Sequence, residues 1–360
     1  MAEKTLKKGN EVIALAAIRC GCDGYFGYPI TPQSEVMETL MEEKPWETTG
    51  MVVLQAESET ASINMLYGGA ACGKKVMTSS SSPGISLMAE GISYLAGSEL
   101  PCLIVNVVRG GPGLGTIQPA QSDYFQATKG GGHGDYHLIV LSPASVQEMN
   151  DFVDLAFELA FKYRNPAMIL TDGIIGQMME KVELSPMKPR WTDAEINKIS
   201  GDWATTGKSA NRKSHIITSL SLDPGVQERF NQKLIKKYDE IREKEIRFEK
   251  IHCEDAEYLL VAYGAMSRIC QEAVDMARAE GIKLGLFRPI SLFPYPIKPL
   301  QELQPQLKGI LSVELSAGQM VEDVRLAVNG KVPVEHYGRL GGMVPDPGQV
   351  LEALKKTFYS

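Results

Sequence analysis

The sequence predicts an α/β protein with a mostly parallel sheet in its first half and a smaller α/β unit near its end. Short apolar runs alternate with helical patterns, which is the order that βαβ units require. The alternation breaks at residues 181–225, where Pro, Ser, Thr, Asp and Gly dominate, and later resumes. We therefore expect a first domain over residues 1–185, a linker over 186–254 and a second domain over 255–360.

Five apolar runs in the first half have the length and composition of buried strands. They are MVVLQAE (51–57), KVMTSS (75–80), CLIVNVVR (102–109), LIVLSP (138–143) and AMILTDG (167–173). Helical periodicity separates them, at residues 60–72, 84–97 and 145–163. The apolar stretch from Val12 to Ile18 predicts a further, amphipathic helix that begins after Asn10.

The second half begins with a charged stretch over residues 226–251, whose charges recur at helical spacing and predict a solvated connecting helix. Four strand patterns and one amphipathic helix follow it. The strands are predicted at 258–265, 283–291, 309–316 and 334–340, and the helix at 267–281. Gly281 suits the left-handed residue that follows a helix.

Composition excludes several classes of protein. The 360 residues carry a net charge of −7 without a long basic run, which disfavours nucleic acid as a partner. No stretch of about 18 apolar residues predicts a membrane-spanning helix. The six cysteines include no CxxC pair, so we expect no metal or iron–sulfur site held by this chain alone. Several lie in apolar surroundings, which predicts buried reduced thiols. The apolar stretch near the start is short and follows Glu11, unlike a secretion signal, so we expect a cytoplasmic location.

Two glycine-rich segments resemble nucleotide-binding loops but lack their features. GGAACGK (68–74) is followed by Lys75 where a phosphate loop has Ser or Thr, and it leads from a helix into a strand rather than the reverse. We therefore predict that Gly73 ends a helix. RGGPGLG (109–115) follows a strand but departs from the dinucleotide fingerprint.

Four segments that follow predicted strands or turns converge at one sheet edge and favour a small carboxylate-bearing ligand in a cleft. They are residues 28–35, 55–60, 78–84 and 109–115. Arg109 suits a carboxylate, but an arginine that merely ends a strand is an equal alternative. Glu57 and Glu59 both remain candidate acids, and either also suits a helix N-terminus. Ser82 is predicted to cap the next helix, with Pro83 in its first position.

The segment YPITPQSE (28–35) places Thr31 between two prolines. Pro29 fixes its own φ, and Pro32 pushes Thr31 out of the α region and suits the first position of a helix. Thr31 is therefore predicted to cap the helix that carries Val36. Whether its hydroxyl faces that helix or a ligand stays open from the sequence.

Several long segments also carry a family resemblance. GYPITPQSE, QAESETASINMLYGGAA, TSSSSPGISLM, RGGPGLGTIQPAQSDYFQATKGGGHGDYH and NPAMILTDG, in that order, resemble the α subunit of 2-oxoacid:ferredoxin oxidoreductases. Among the substrate types of that family, the chain is most similar to the branched-chain (3-methyl-2-oxobutanoate, or 2-oxoisovalerate) type. The resemblance covers essentially the whole chain.

The resemblance implies an enzyme that is active only with partner subunits. The first domain would be a thiamine-diphosphate-binding domain of the pyrimidine type, and the second would resemble the transketolase C-terminal domain. A β subunit would bind the diphosphate, and partner subunits would hold Mg²⁺ and the iron–sulfur clusters. Gamma and ferredoxin-like delta subunits are further implied partners. The reaction would be CoA-dependent oxidative decarboxylation of a 2-oxoacid, with electrons passing to ferredoxin.

The resemblance also implies roles for individual residues. Glu59 would hydrogen-bond the aminopyrimidine ring of the cofactor and promote its imino tautomer, and Arg109 would face the 2-oxoacid carboxylate. Thr31 would contact the substrate or its first adduct. The remaining residues implied to lie against the cofactor are Pro29, Ser82 and Gly84.

Other functions remain as alternatives. The first alternative is a member of the family that is specific for pyruvate or 2-oxoglutarate. The second carboxylate of 2-oxoglutarate needs a second cation in the pocket, and apart from Arg109 the nearest candidate is Lys129. A non-catalytic assembly subunit is another, although Thr31, Glu59 and Arg109 together argue against a decayed site. A nucleotide-binding protein is disfavoured by the broken phosphate loop.

Overall fold

The structure is a computed structural model that describes residues 4–208 and 212–359, and its strands form three sheets. The first half contains β1 (Lys4–Lys8), α1 (Gly9–Arg19), β2 (Gly24–Gly27), α2 (Ser34–Glu43), α3 (Pro45–Thr48), β3 (Val52–Gln55), α4 (Glu59–Ala71), β4 (Val76–Ser80), α5 (Ser82–Gly97), β5 (Leu103–Val108), α6 (Tyr124–Thr128), β6 (Ile139–Leu141), α7 (Val146–Tyr163), β7 (Ala167–Asp172), α8 (Gly173–Gln177) and β8 (Met179–Glu183).

The second half begins at the predicted linker. It contains α9 (Asp193–Ser200), α10 (Pro224–Lys244), β9 (Phe248–Ile251), β10 (Tyr258–Val261), α11 (Gly264–Ala279), β11 (Leu284–Pro289), β12 (Ser291–Phe293), α12 (Ile297–Gln301), a 3-10 turn (Gln304–Gln306), β13 (Gly309–Glu314), α13 (Met320–Val328), β14 (Val334–Gly338) and α14 (Pro347–Phe358).

The largest sheet has seven strands in the order β12-β6-β7-β5-β4-β2-β3, and all neighbours except β12 are parallel. All residues of β4, β5, β6 and β7 are buried, because helices cover both faces of a parallel sheet. The five predicted strands of the first half and their parallel arrangement are therefore confirmed. The short strand β2, with glycine at both ends, was not predicted.

The second sheet has the order β14-β13-β10-β11-β9, with β9 antiparallel at its edge. The four predicted strands and the predicted helix of this unit are confirmed, and Gly281 has the expected positive φ of 81°. Strand β12 leaves this unit and pairs antiparallel with β6 of the large sheet. The two units therefore share a sheet, and the domain division at residues 185 and 255 stays a prediction.

Two predicted helices differ from the structure. Helix α1 is buried almost all round rather than amphipathic, because it packs against both α2 and α7. The charged helix ends at Lys244, and residues 248–251 instead form the edge strand β9, which pairs with β11. Within α10 only Leu234, Tyr238 and Ile241 are buried, which confirms that its other faces meet solvent.

A third sheet, of two strands, was not predicted from the sequence. Strand β1 is rich in lysine, yet it pairs antiparallel with β8, near the end of the predicted first domain. Gly73 follows the last residues of α4 with a φ of 72°, which confirms that it ends that helix.

No helix in the described ranges is long and apolar enough to cross a membrane.

Candidate active site

The four segments predicted to converge do meet at the carboxyl edge of the large sheet. They follow β2, β3, β4 and β5, which lie side by side in the order β5-β4-β2-β3. Parallel strands end at the same edge, so their following loops form one surface. Contacts between Arg109 and Thr31, Arg109 and Ser82, and Glu59 and Gly84 join the segments directly.

Glu59 is the buried carboxylate of the site. It is the first residue of α4 and only 7% exposed, whereas the alternative acid Glu57 is exposed. The preceding residue, Ser58, caps the helix by accepting from the Ala61 N–H at 3.2 Å, so Glu59 itself is not needed as a cap. Burial therefore favours Glu59 over Glu57.

Gly84, in the first turn of α5, allows the Glu59 side chain to lie against that helix. A Cβ atom at position 84 would be 2.8 Å from Glu59 Oε1 and 2.0 Å from Ser80 Oγ. Any larger residue would displace one of these groups. The hydroxyls of Ser80 and Ser81 are buried there without a hydrogen-bond partner among the described residues.

Ser82 joins two strand ends rather than capping its helix, so the predicted capping role is wrong. The N-cap of α5 is Ser81, and Ser82 is the first helical residue. The Ser82 hydroxyl accepts from the Arg109 N–H at 3.1 Å and donates to the Arg109 carbonyl at 3.2 Å. The Ser82 hydroxyl therefore bonds the backbone of Arg109, just after the neighbouring strand β5, instead of N–H groups of its own helix.

Arg109 is a buried cation that holds two loops. It is only 9% exposed, and its guanidinium donates to the carbonyls of Thr31 at 3.0 Å and Leu114 at 3.2 Å. Its Nε is buried without a partner, and in residues 4–208 and 212–359 it forms no ion pair with a carboxylate. Because an unpaired buried charge is costly, this environment favours an anion from outside the chain.

Thr31 does not cap helix α2, so that prediction is wrong. The helix begins at Ser34, its N-cap is Gln33, and the Thr31 side chain is exposed. The turn is instead held through its backbone, because Asn10 and Gln177 donate to the Pro32 carbonyl at 2.6 and 3.0 Å. The Thr31 hydroxyl is therefore not committed to its own helix.

No local sequence pattern predicted the buried network of side-chain hydrogen bonds beneath this turn. Tyr25 donates to Ser79 at 2.8 Å, and Ser79 donates to Gln33 Oε1 at 2.5 Å. All three side chains are fully buried, and burial raises the pKa of Tyr25 to about 12. These hydrogen bonds hold the Gln33 side chain in place, and with it the turn that carries Pro29 and Thr31. Pro29 is exposed at the same edge.

The part of the chain described contains no group of three or more His, Cys, Asp and Glu side chains that could hold a metal ion. All six cysteines are unbridged, and five are buried. Burial raises the pKa of Cys20 to about 12. Lys129, the nearest candidate for the second cation that a 2-oxoglutarate enzyme would need, forms an ion pair with Asp323.

Two family models match the chain in succession. Residues 15–249 match the thiamine-diphosphate-binding domain of pyruvate flavodoxin/ferredoxin oxidoreductases, and residues 256–350 match core domain II of pyruvate:ferredoxin oxidoreductase. The chain belongs to the 2-oxoacid:ferredoxin oxidoreductase family. Its first domain is of the thiamine-diphosphate-binding type, as the resemblance implied.

Relatives narrow the type within this family. The chain is 48% identical to ketoisovalerate oxidoreductase subunit VorB of Methanothermobacter thermautotrophicus, over 97% of each chain. It is 35% identical to 2-oxoglutarate synthase subunit KorA of Methanothermobacter marburgensis, over 98% of this chain and 99% of the other. The prediction of a branched-chain-type subunit is confirmed.

Solved structures support the fold. The structure of 2-oxoglutarate:ferredoxin oxidoreductase from Magnetococcus marinus, with 2-oxoglutarate, coenzyme A and succinyl-CoA bound, matches with a TM-score of 0.87 and 27% identity. The match covers 99% of this chain but 66% of that one, so this chain spans about two thirds of its length. A split-gene transketolase matches with a TM-score of 0.61 at 14% identity, which supports the fold alone.

Proposed function

We propose that this chain is the α subunit of a CoA-dependent oxidoreductase that decarboxylates 2-oxoisovalerate, yields the acyl-CoA and CO₂, and passes electrons to ferredoxin. The observation that carries the proposal is the buried Glu59 carboxylate against Gly84, at the edge where Arg109 and Thr31 also lie. The 48% identity to a ketoisovalerate oxidoreductase subunit supports the substrate class.

The residues at this edge fit the aminopyrimidine end of thiamine diphosphate. Glu59 offers a carboxylate, Gly84 leaves room beside it, and the Ser80 and Ser81 hydroxyls lack partners among the described residues. Bound thiamine diphosphate supplies the carbanion chemistry that decarboxylation requires. Glu59 holds a proton against a ring nitrogen of the cofactor, while Pro29, Ser82 and Gly84 shape the surface around it.

Arg109 and Thr31 receive the 2-oxoacid in this proposal. The guanidinium still has N–H groups free after its bonds to Thr31 and Leu114, including the buried Nε. These donors suit the substrate carboxylate through charge-assisted hydrogen bonds. The uncommitted Thr31 hydroxyl donates to the substrate or its first adduct.

The charges around Arg109 favour a 2-oxoacid with an apolar side chain. The segments 28–35, 55–60, 78–84 and 109–115 contain no other lysine or arginine. Lys129 is neutralised by Asp323. A 2-oxoglutarate side chain would therefore find no second cation in these segments. In contrast, Leu114 and Ile117 are 84% and 57% exposed on the loop after Arg109 and offer apolar contacts.

We place the remaining parts of the reaction on partner subunits. A β subunit binds the diphosphate, gamma and ferredoxin-like delta subunits complete the complex, and partners hold Mg²⁺ and the iron–sulfur clusters. Val52 and Leu54 of the edge strand β3, Met65 of α4 and Leu87 of α5 are exposed apolar side chains, and they suit an interface with the β subunit. Buried, unbridged thiols fit the reducing cytoplasm.

One assay tests the proposal. The purified complex should reduce viologen in a CoA-dependent way, with a higher kcat/KM for 2-oxoisovalerate than for pyruvate or 2-oxoglutarate. A preference for 2-oxoglutarate would overturn the substrate class. Full activity of the partner subunits without this chain would instead make it a non-catalytic assembly subunit.

A further inference from the structure

The loop at residues 110–118, which follows Arg109, closes on itself. The Gly110 N–H donates to the Gln118 carbonyl at 2.9 Å, so the two ends of the loop are joined. Its tip also contacts the arginine, because the Leu114 carbonyl accepts from the Arg109 guanidinium at 3.2 Å. A shift of either end of this loop therefore moves groups that hold the Arg109 side chain.

Two glutamines fasten the segment after this loop to the second half of the chain. Gln121 is 2% exposed, its N–H donates to the Leu315 carbonyl at 2.8 Å, and its side-chain oxygen accepts from the Leu315 N–H at 3.0 Å. Gln319 of the second half accepts from the Phe125 N–H at 2.8 Å and donates to the Ser122 carbonyl at 2.7 Å. The position of this segment is therefore set by the second half.

A glycine turn of the second half lies directly against the loop. Gly341 and Gly342 have positive φ, of 63° and 90°. The Met343 N–H donates to the Leu340 carbonyl at 3.2 Å, which closes a turn of the type I′ kind. A Cβ atom on Gly342 would be 2.2 Å from Gln118 Cβ, whereas one on Gly341 would meet no atom of the described residues within 4 Å. Glycine is therefore required at position 342 by the contact as well as by the turn.

An atom added at position 342 would displace backbone and not only a side chain. Gln118 Cβ is bonded directly to the backbone and cannot rotate away, and Gln118 Cα would be 3.5 Å from the added atom. The turn also lies beside Gly110, since a Cβ there would be 3.5 Å from the Gly342 nitrogen. Arg109 and Pro119 pair as an isolated β-bridge. A shift at Gln118 therefore passes to the backbone of Arg109.

We propose that the second half of the chain positions Arg109 for the 2-oxoacid, and that Gly342 is the positioning residue. Its contact with Gln118 sets where the 110–118 loop closes, and that loop sets where the Arg109 guanidinium lies. The inference rests on the function proposed for Arg109. It adds that the second half, which contributes none of the residues assigned above to the cofactor or the substrate, determines how well the substrate carboxylate is bound.

Gly342→Ala in the intact complex tests the contact, with Gly341→Ala as the matched control. Both substitutions place an alanine at positive φ in the same turn, but only Gly342→Ala adds an atom against Gln118. We expect the KM for 2-oxoisovalerate to rise about tenfold in Gly342→Ala and less than about twofold in Gly341→Ala, since a misplacement of about 1 Å costs up to about a hundredfold. The KM for coenzyme A should be equal in all three proteins.

A second substitution shows whether the effect comes from Gln118. Gln118→Gly removes the Cβ and Cγ atoms that the new methyl group would meet, at 2.2 and 3.0 Å, and keeps the carbonyl that Gly110 bonds. The double variant Gly342→Ala/Gln118→Gly should therefore regain most of the wild-type affinity for 2-oxoisovalerate. A role of Gly342 in folding of the second half alone would not be reversed by a change on the 110–118 loop.

Gln319→Ala carries the same test without an added atom, should Gly342→Ala not assemble. It removes both bonds of the Gln319 side chain to the segment after the loop, so the KM for 2-oxoisovalerate should again rise while that for coenzyme A stays the same.

Three results would overturn the inference and leave the proposed function intact. They are equal KM values for 2-oxoisovalerate in Gly342→Ala and Gly341→Ala, no regain in the double variant, and a KM for coenzyme A that rises in parallel. If Gly342→Ala does not assemble, an unchanged KM for 2-oxoisovalerate in Gln319→Ala has the same meaning. A wild-type complex that turns over no 2-oxoacid would refute the proposed function, and this inference with it.

Discussion

The Arg109 guanidinium donates to the backbone carbonyl of Thr31 at 3.0 Å, which links the loop after β2 to the end of β5. Ser82 bonds the Arg109 backbone in both directions, so three of the four site segments meet at one residue. The arginine thus positions Thr31 while keeping N–H groups free for a carboxylate. Its planar fork, and not only its charge, is required for both tasks.

Replacing Arg109 by lysine should therefore impair use of the 2-oxoacid although the charge is retained. A lysine cannot bond both carbonyls and a carboxylate in the same geometry, so we expect kcat/KM for the 2-oxoacid to fall by about ten- to a hundredfold. The KM for coenzyme A should change little. Steady-state assays with each substrate varied separately check this, and unchanged 2-oxoacid kinetics would mean that Arg109 is only structural.

Glu59→Gln should abolish turnover while the complex still assembles. The amide keeps the size of the side chain but cannot hold a proton as a carboxyl does, and Glu59 is the buried acid of the site. Glu57→Gln is the matched control, because Glu57 is exposed two residues earlier and should retain activity. Gel filtration and viologen reduction measure the two properties. Activity that depends on Glu57 instead would reverse the assignment.

Gly84→Ala should lower activity by moving Glu59. The added Cβ would meet Ser80 Oγ at 2.0 Å and Glu59 Oε1 at 2.8 Å, and a displacement of about 1 Å at a reacting group costs about a hundredfold in rate. Gly68→Ala on α4 is the control, since its Cβ would have no neighbour within 4 Å. An exposed helical Gly→Ala change should stabilise slightly. Equal activity of the two variants would show that Gly84 does not position the acid.

The convergence of the four site segments was predictable because parallel strands must end at one edge. The local bonding of that edge was not. Ser82 and Thr31 fit the sequence rules for helix caps, but neither caps its helix. The Ser82 hydroxyl bonds the backbone of Arg109, 27 residues away, and the Thr31 carbonyl accepts from the Arg109 guanidinium, 78 residues away. Long-range partners compete with local ones only once the sheet has formed. For the same reason no local pattern predicted that β12 joins the large sheet or that β1 pairs with β8.

Arg288 of β11 forms one of the contacts between the two halves. Its buried guanidinium bonds both carboxylate oxygens of Glu148 on α7, and the distance from Nη1 to Glu148 Oε1 is 3.0 Å. Nη1 also bonds the carboxylate of Glu249, at 2.8 Å. Glu148→Gln should lower the free energy of unfolding by about 2–3 kcal/mol, because a buried charge loses its main partner. Urea denaturation of the purified chain measures this. Glu302→Gln, which removes the exposed partner of Lys250, should change it by less than about 0.5 kcal/mol.

Lys237 on α10 should make stability depend on pH above neutrality. Burial lowers its pKa from 10.5 to about 8, despite its ion pair with Glu99 at 3.2 Å. Between these values the unfolded chain binds more protons than the folded chain, so stability contributed by this group rises with pH. Relative to Lys237→Met, wild type should therefore gain unfolding free energy from pH 7.5 to pH 10, by about 3 kcal/mol at most. Urea denaturation at each pH measures the difference, with Lys236→Met, at an exposed neighbour, as control. A difference between wild type and Lys237→Met that stays constant with pH would show that Lys237 keeps its ordinary pKa in the folded protein.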